Sequence, residues 1–483
     1  MRFKFIVKIL AFLILIISGF MLIPAFVAMI YNEVYTMKFF IYTGFFTAAI
    51  SLLIIFLLRY VKKDYITSAD GMLLVTMGWI IVSAVSALPI YLSGATISYV
   101  DAFFEAVSGY TTTGATIFGG VEHLPKGILF WRSLTHWLGG MGIVVLTVAV
   151  LPLLGIGGMQ LIKAEAPGPS VDKLSPRITT TAKYLWYIYI GLTFVEIILL
   201  YLGGMNLFDS INHSFATLAT GGFSTKNSSI LTFNNPYFEW VIGIFMVLSG
   251  MNFAFHYKFF TGNFKILWKD SEFKFYFLLI LSYTLLISWN LYEKMNIDFH
   301  TSIRSAFFQV ATIITTTGFA SADYEKWPFF AQGLLFALMF IGGCSGSTGG
   351  GIKVIRVLTL LKQALNEMKY LVHPRGVFVL KINENSIRKN TVYAISGFFF
   401  LYMITNLCVT LLLCFDGLDI ITALTASLAC VGNIGPGFGG VGPMDNYGFM
   451  SDFSKIVLSF GMLAGRLEIY TFFVIFTPYY WKR

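Results

Sequence analysis

A glycine-containing stretch recurs at four places in the chain, each directly after a short apolar segment, and in three of them threonine precedes the glycine. The clearest copy, Thr315–Ser321, has the sequence Thr-Thr-Thr-Gly-Phe-Ala-Ser. Stretches that begin at Thr111, Ala219 and Val431 repeat the pattern about every hundred residues. Backbone carbonyl and threonine hydroxyl oxygens can replace the water shell of a cation, and such ligands suit a hard monovalent ion. We therefore interpret the four stretches as quarters of one cation filter.

Three consecutive residues of each stretch are the candidate cation ligands. The third is a glycine, because a positive φ turns its carbonyl toward the pore axis at low cost only for glycine. In the second stretch Gly222 is aligned rather than Gly221, since Phe223 follows it as Phe319 follows Gly318. The fourth stretch is degenerate and is included for its position. The ligands are Thr112, Thr113, Gly114, Thr220, Gly221, Gly222, Thr316, Thr317, Gly318, Asn433, Ile434 and Gly435.

An ordinary helix cap is the alternative interpretation of each stretch. Glycine commonly ends a helix, and threonine in a membrane helix often donates only to its own backbone. A single copy favours the cap. Four copies in matching positions favour the filter.

The elements that must position these stretches are membrane-spanning helices. The chain is 57% apolar and 12% charged, a composition that no soluble globular protein can bury. Many apolar runs reach the ~20 residues that a spanning helix needs. The net charge of +9 does not indicate nucleic-acid binding, because the basic residues lie between apolar runs as membrane anchors do.

The predicted spans form pairs, and the loops that join them differ in charge. The spans cover about 6–30, 38–58, 71–94, 127–156, 184–204, 237–261, 275–292, 328–360, 391–415 and 453–480. The first resembles a signal peptide but is too long for one, and we interpret it as a retained span. Loops 59–64, 160–183, 258–274 and 361–390 hold most Lys and Arg, which places them and both termini in the cytoplasm. The opposite loops are acidic and attract cations.

A short segment that cannot cross the membrane precedes each Thr/Gly stretch. These segments are Asp101–Tyr110, Asp209–Leu218, Ser302–Ile314 and Ile420–Cys430. The sequence therefore predicts an all-α integral membrane protein, with four covalently linked span–pore-helix–span units around a pseudo-four-fold pore. An N-terminal pair of spans precedes them. The predicted boundaries are 1–64 for this pair and 65–165, 166–265, 266–375 and 376–483 for the four units.

A run of glycines interrupts the second span of the third unit, over Ile341–Gly351. Each glycine in a helix costs about 1 kcal/mol, so we expect an unwound loop that crosses the pathway below the filter. Close helix packing through small residues is the alternative for Gly139-Gly140, Gly250 and Gly461/Gly465 in the other units. The candidate gating residues are Gly343, Ser345, Gly346, Ser347, Thr348, Gly349, Gly350 and Arg466.

Arg466 is a charge inside a predicted span, where charges usually face a cavity. One interpretation is a buried ion pair with an unidentified residue. Glu468 is not a natural helical partner, because it lies only two positions away. The other interpretation is a fixed positive charge near the gate.

These motifs together resemble the Trk/Ktr/HKT superfamily of cation transporters, most closely the membrane subunit of its bacterial Trk branch, over the whole chain. The resemblance implies a potassium filter, since Gly114 stands where some relatives that carry sodium have serine. It implies an intramembrane gating loop with an arginine nearby, K⁺ as the transported ion and no organic cofactor in this chain. It also implies a homodimer, a cytosolic nucleotide-binding regulatory subunit (TrkA-like) and a multi-pass location in the bacterial cytoplasmic membrane.

Two other functions are weighed against a gated, channel-like pore. A symporter that couples potassium to protons or sodium needs a lone acid in the spans, and Glu196 is the candidate. An intramembrane enzyme needs a Ser/His or paired-Asp constellation within the spans, and the sequence contains none. We therefore expect a transporter and not an enzyme. The four cysteines and six histidines have no metal-ligand spacing.

Overall fold

The structure, a computed structural model, describes residues 3–61, 67–142, 178–260, 262, 269–383 and 385–482. Its helices are α1 (Phe3–Phe20), α2 (Leu22–Ile30), α3 (Val34–Leu57), α4 (Ser68–Leu92), α5 (Tyr99–Tyr110), α6 (Lys126–Gly140), α7 (Ile178–Leu202), α8 (Leu207–Leu218), α9 (Pro236–Ser249), α10 (Phe253–Phe260), α11 (Ser271–Met295), α12 (Phe299–Ile314), α13 (Phe329–Leu338), α14 (Val354–Val372), α15 (Lys389–Phe415), α16 (Ile420–Val431), α17 (Asp452–Arg466), α18 (Tyr470–Phe473) and α19 (Pro478–Trp481). The strands of the described part are β1 (Lys381–Ile382) and β2 (Asn385–Ser386), which pair antiparallel. Short 3₁₀ turns occupy Val121–His123, Ser229–Phe233, Tyr324–Lys326, Gly439–Val441 and Val474–Phe476.

Long apolar helices dominate the described part of the chain, as the composition predicts. Six are long and apolar enough to cross a membrane: Phe3–Ile30, Val34–Leu57, Ser68–Leu92, Lys183–Leu202, Ser271–Met295 and Lys389–Phe415. They match the predicted N-terminal pair and the first span of each unit. The predicted span over 127–156 is seen as α6 only, and its remainder and most of the loop over 160–183 lie outside the described residues.

The second helices of the second and fourth units are not the straight spans that the sequence predicts, whereas the break in the third unit is expected. α9 and α10 meet at an angle of 99°, and α17 meets the Tyr470–Phe476 segment at 114°. In the third unit α13 ends after ten residues, and α14 begins only beyond the glycine run. In the fourth unit Glu468 and Ile469 have φ of 53° and 51°, a conformation that ends a helix. A break at this depth is therefore not restricted to the third unit.

Four short helices, α5, α8, α12 and α16, lie where the sequence predicts helices too short to span. Each begins with a polar side chain that accepts backbone N–H groups, as a helix start requires. The capping residues are Ser98, Asn206, Asp298 and Asp419. Asp101 and Asp209 lie in the first turns of α5 and α8, where the helix dipole favours a carboxylate.

The N-terminal pair of helices is fastened to the first unit rather than loosely appended. The Glu33 carboxylate accepts the N–H groups of Lys126 and Gly127 at 2.6 and 3.0 Å, and so caps the start of α6. A side chain at Gly127 would press on Ala28 and on the Pro24 carbonyl. The pair therefore helps to fix where α6 approaches the Thr/Gly stretches.

Candidate functional site

The four short helices end in the same backbone motif. The residue after each helix keeps right-handed backbone angles, and the next residue has φ between 54° and 58°. The following N–H donates five residues back, a bond that defines the Schellman ending. These bonds join Thr113 to Ser108, Gly221 to Ala216, Thr317 to Thr312 and Ile434 to Ala429, at 2.7–2.9 Å. The repeat seen in sequence is thus a repeat of backbone geometry.

The residue that caps each short helix is not the glycine. The left-handed positions belong to Thr112, Thr220, Thr316 and Asn433. This conformation costs a residue other than glycine roughly 1–2 kcal/mol, and asparagine tolerates it better than threonine. The glycines two residues later have φ of 81°, 78°, 87° and 99° at Gly114, Gly222, Gly318 and Gly435. These glycines form a second turn of the backbone beyond the helix end. A helix cap therefore does not explain why glycine is found there.

Each of the four glycines contacts the neighbouring stretch, and the four contacts together form a closed ring. A Cβ on Gly114 would overlap the Gly221 carbonyl oxygen, and one on Gly222 would overlap that of Thr317. A Cβ on Gly318 would overlap the Ile434 carbonyl oxygen, and one on Gly435 would contact that of Thr113. The order runs from the first stretch through the second, third and fourth and back to the first. This circular contact has no room for a side chain at any of the four positions.

At two positions of each stretch, hydroxyl groups alternate between neighbouring stretches. Thr111 and Thr113 share a hydrogen bond of 2.8 Å, and Thr315 and Thr317 share one of 2.7 Å. The matching pairs in the second and fourth stretches are Ala219 with Gly221 and Gly432 with Ile434, which carry no hydroxyl. At these positions the ring is four-fold in its backbone but two-fold in its hydroxyl oxygens, whereas one residue before the second of them Thr112, Thr220 and Thr316 all carry a hydroxyl.

Polar side chains behind the ring tie each short helix to the outer part of its stretch, and the sequence analysis missed them. Three lie nine residues before the ring glycine: Glu105, His213 and Gln309. Glu105 accepts from the Ile117 N–H at 3.0 Å, and His213 Nε2 bonds the Ser224 hydroxyl at 2.9 Å. With its amide oriented by hydrogen bonding, Gln309 accepts from the Ser321 N–H at 3.0 Å. The shared spacing from glycine was the available signal.

The fourth stretch uses a neighbouring position for the same tie. Thr425 lies ten residues before Gly435, and its hydroxyl accepts the Phe438 N–H at 3.1 Å. Tyr447 adds a contact of another kind, because its hydroxyl donates to the Gly435 carbonyl at 2.7 Å. One ring carbonyl is therefore already engaged by a protein donor.

Arg132 and Glu105 form a buried ion pair beside the first stretch. Arg132 Nε donates to Glu105 at 2.7 Å, and both side chains are almost fully buried. The guanidinium also donates to the Thr116 hydroxyl and lies 4.1 Å from the centre of the Phe223 ring. The pair thus joins the first stretch to the second.

His136 makes a second connection between these two stretches. Its Nδ1 lies 2.7 Å from the Gly109 carbonyl and its Nε2 accepts the Phe223 N–H at 3.2 Å. The carbonyl requires a proton on Nδ1, and the N–H requires a lone pair on Nε2, so the ring is neutral with a fixed tautomer. A side chain on Gly221 would collide with this ring. The extra glycine of the second stretch therefore makes room for the imidazole.

The four ring glycines line one common cavity on the outer side of the ring. The residues that also line it include Arg132, Lys226, Asp445 and Tyr447. Loops of the third and fourth units meet nearby, where the Gly439 N–H donates to Glu325 at 2.6 Å. Burial raises the pKa of the Glu325 carboxyl, and this hydrogen bond opposes the rise.

The glycine run of the third unit forms an irregular loop over 339–353, directly against the inner side of the ring. The Gly350 N–H donates to the Thr316 hydroxyl at 2.7 Å, and Gly349 packs against the Thr315 carbonyl. The Cys344 N–H donates to the Gly250 carbonyl at 2.9 Å, at the break of the second unit. These contacts place the loop next to the Thr/Gly stretches.

Two charged side chains that the sequence analysis did not single out hold this loop. The buried Glu272 carboxylate accepts the N–H groups of Ser345 at 2.7 Å and of Ile355 at 3.1 Å. It thereby ties the middle of the loop to the first turn of α14. Lys353 at the end of the loop donates to the Gly349 carbonyl. Carboxylate acceptors give some of the stronger hydrogen bonds in proteins.

Arg466 joins the loop to the first unit. Its Nη1 donates to the Thr112 hydroxyl at 3.0 Å and to the Thr348 carbonyl at 2.8 Å. Its Nη2 donates to the Gly139 carbonyl at 2.6 Å. Glu468, which lies two positions away from Arg466, pairs with Arg356.

The other glycines that the sequence analysis named lie close to the short helices. Side chains at Gly139 and Gly465 would overlap the carbonyls of Tyr110 and Val431, the last residues of α5 and α16. Gly250 packs against Thr315. Close packing through small residues therefore describes these positions, and Gly250 also ends α9.

Comparisons with known proteins agree with this architecture. Residues 36–483 match the family of cation transport proteins called TrkH. Over 490 residues, with all of both chains covered, the chain is 42% identical to the Trk system potassium uptake protein TrkH of Escherichia coli K12. The Trk system potassium uptake protein TrkG of that strain is 37% identical, with 98% of this chain and 97% of the relative covered.

A solved structure shares the fold over its full length. The crystal structure of the potassium transporter TrkH from Vibrio parahaemolyticus superposes with a TM-score of 0.90 at 38% identity, covering 100% of both chains. The predicted all-α membrane fold and the resemblance to the Trk branch are thereby confirmed. The chain is a member of the TrkH family of cation transport proteins.

Proposed function

We propose that this protein takes up potassium across the bacterial cytoplasmic membrane through a gated, channel-like filter. Its relatives are named as potassium uptake proteins. The observation that carries the proposal is the closed ring in which each glycine meets the carbonyl of the next stretch. The electrochemical gradient supplies the driving force, about 2.3 kcal/mol per 100 mV for a monovalent cation.

The ring residues are the proposed potassium ligands. Left-handed and other backbone angles alternate along each stretch, for example at Thr316, Thr317 and Gly318. Such alternation turns successive carbonyls to the same side, where they can replace the water around an ion. The four short helices aim their C-terminal ends, which carry partial negative charge, at the same centre.

The ligands of the four stretches are not equivalent in this proposal. Hydroxyl oxygens come from Thr113 and Thr317, on opposite sides of the ring, and not from Gly221 or Ile434. The Gly435 carbonyl is a weaker ligand than its counterparts because Tyr447 donates to it. The inner and outer ends of the filter therefore bind an ion with different strength.

The loop over Gly343–Gly350 is the proposed gate, and Arg466 is its latch. The loop lies below the ring and is held by the hydrogen bonds of Arg466 and Glu272. For the pathway to open, the loop must break its hydrogen bond to the Thr316 hydroxyl. The Thr348 carbonyl must also break its hydrogen bond to Arg466. The charge of Arg466 also repels cations below the filter while the latch is closed.

The organisation expected from the sequence completes the proposal. The N-terminal pair is residues 1–64, and the four units are 65–165, 166–265, 266–375 and 376–483. Both termini face the cytoplasm, two copies form a homodimer, and a cytosolic nucleotide-binding subunit controls the gate. The basic segments 160–183 and 361–390 are the docking candidates for that subunit. The second contains the end of α14 and the strands β1 and β2. K⁺ is the cargo, with no organic cofactor in this chain and no enzymatic reaction.

Symport with protons is the second candidate, and one observation favours it. Glu196 in α7 is fully buried, and neither carboxyl oxygen has a hydrogen-bond partner among the residues that the structure describes. Acidic side chains inside membrane spans commonly serve as proton relays in transporters.

Flux of potassium into liposomes tests both candidates. A pore gives a current that reverses at the potassium equilibrium potential, whatever the proton or sodium gradient. A symporter gives a reversal potential that moves with the gradient of the coupled ion. With Glu196→Gln, a pore keeps its reversal potential, whereas proton symport through Glu196 would lose its dependence on pH. A reversal potential that does not follow potassium would overturn the pore.

A further inference from the structure

Lys226 places a positive charge at the outer entrance of the ring. It lines the cavity that the four ring glycines share. Its backbone is held by a tight turn, because its N–H donates to the Ser224 hydroxyl at 3.0 Å and its carbonyl accepts from Ser229 at 3.1 Å. The side chain is partly buried. A cation in this place is unexpected, since the outer loops as a whole are acidic.

Lys226 differs from the other cations near the ring in its ionic contacts. The other cation of the cavity, Arg132, is neutralised by Glu105 at 2.7 Å. Lys455 and Lys326, also on outer segments, pair with Asp101 and Asp323. Within the described ranges, no carboxylate forms an ion pair with Lys226 at 4.0 Å or less. The acid that lines the same cavity is Asp445, and it forms no such pair.

We propose that Lys226 selects ions by valence at the entrance of the filter. A fixed ammonium raises the electrostatic potential of the cavity, and narrow cavities with protein walls strengthen such fields. A potential that lowers the local concentration of a monovalent cation by some factor lowers that of a divalent cation by the square of that factor. Lys226 therefore keeps Mg²⁺ and Ca²⁺ from occupying the outer filter site at a modest loss of potassium.

This proposal rests on the filter under Proposed function, and it makes Lys226 a specificity residue, not an ion ligand. The ring oxygens select among monovalent ions, which Lys226 cannot distinguish because they carry the same charge. Its substitution should change discrimination by valence and leave the ratio of K⁺ to Na⁺ uptake unchanged. That separation distinguishes its role from a distortion of the ring.

The test is uptake of radioactive rubidium by cells that express the full chain and lack other potassium uptake systems. External Mg²⁺ is varied at low ionic strength, and both the half-blocking Mg²⁺ concentration and the KM for K⁺ are measured. For Lys226→Gln we expect the KM to fall about twofold and the half-blocking concentration about fourfold. Lys226→Arg keeps the charge and should match the original protein. Lys326→Gln, on an exposed paired lysine, is the surface control.

Ionic strength gives a second readout that does not depend on the amount of folded protein. Raising it with an impermeant organic salt shortens the Debye length from about 30 Å at 0.01 M to about 3 Å at 1 M. The difference between Lys226→Gln and the original protein should then disappear. Equal Mg²⁺ block in both proteins at low ionic strength overturns the proposal, as does an altered K⁺/Na⁺ ratio. Failure of the filter itself would show instead as unchanged ion preference in Gly318→Ser, measured in the same cells.

Discussion

The Thr112 hydroxyl and the Thr348 carbonyl are bound by one nitrogen, Nη1 of Arg466, at 3.0 and 2.8 Å. Thr112 belongs to the ring and Thr348 to the loop below it. A single guanidinium group therefore joins the proposed filter of the first unit to the proposed gate of the third. Movement of the loop must break a hydrogen bond of this group, so the state of the gate is coupled to the base of the filter.

Replacing Arg466 by Gln should raise basal potassium flux. The loop loses hydrogen bonds from a charged donor, each worth about 1.5–3 kcal/mol. We expect an increase on the order of tenfold, measured as rubidium flux in liposomes without a regulatory subunit. Arg466→Lys retains the charge but not the forked donors, and its flux should lie between that of Arg466→Gln and that of the original protein. Flux of Arg466→Gln at the original level would contradict the latch.

Replacing Gly318 by Ser should reduce the preference for K⁺ over Na⁺. The new Cβ would overlap the Ile434 carbonyl, and φ of 87° is unfavourable for serine by roughly 1–2 kcal/mol. The ring is then distorted from the geometry that replaces the water around K⁺, so the advantage of K⁺ over Na⁺ falls. Gly333→Ser is the matched control, because Gly333 has open space around its Cβ position. Relative uptake of the two ions is the measurement, and an unchanged ratio in Gly318→Ser would remove the ring from selectivity.

Replacing Tyr447 by Phe should strengthen potassium binding. The Gly435 carbonyl loses a competing donor at 2.7 Å and becomes a better ion ligand. A neutral hydrogen bond is worth about 1 kcal/mol, so the KM for K⁺ should fall several-fold. Tyr324→Phe is the control, since Tyr324 donates at 2.7 Å to Gly437, outside the ring. A larger fall in the control than in Tyr447→Phe would argue against a special role of the Gly435 carbonyl.

Replacing Glu272 by Leu should loosen the loop. Two backbone N–H groups, of Ser345 and Ile355, would lose their acceptor, at about 1–3 kcal/mol each. Basal flux should rise, as it should on deletion within Gly343–Gly350. Glu272→Gln keeps one acceptor oxygen and should restore most of the original behaviour. Glu293→Gln, at a half-exposed position of the same helix, serves as the control. A closed pore in Glu272→Leu would show that Glu272 does not hold the gate.

Replacing Thr220 by Asn should preserve or raise thermal stability. Asparagine adopts the left-handed conformation more readily than threonine, and Asn433 already occupies the matching place in the fourth stretch. Thr220→Val keeps the strain and loses the hydroxyl that donates to the Ala219 carbonyl, so it should lose about 1 kcal/mol. Thermal unfolding in detergent compares the two variants. A greater loss of thermal stability in Thr220→Asn than in Thr220→Val would refute the conformational argument.

The sequence predicts the spans and the short helices because bilayer thickness fixes how many apolar residues a crossing needs. The repeated Thr/Gly pattern also identifies which residues form the ring, since each copy requires glycine at the same turn. Local sequence did not identify the capping residues. A threonine such as Thr316 is a poor choice for a left-handed cap, and the surrounding ring holds it there.

Contacts between distant units lie beyond what local sequence predicts. Arg466 reaches Thr112 across 354 residues, and no periodic pattern relates the two. The bends after α9 and α17 were missed for a related reason. The apolar runs continue through them, so hydropathy alone cannot separate one long helix from two that meet at an angle.

The alternating hydroxyls of the ring have a consequence for inheritance. In a pore of four identical subunits, one changed codon alters every quarter at once. Here Thr113, Gly221, Thr317 and Ile434 occupy matching places on one chain and are already of three residue types. A single mutation can therefore change the ion ligands of one stretch alone. The other three stretches preserve transport while selection acts on the changed one.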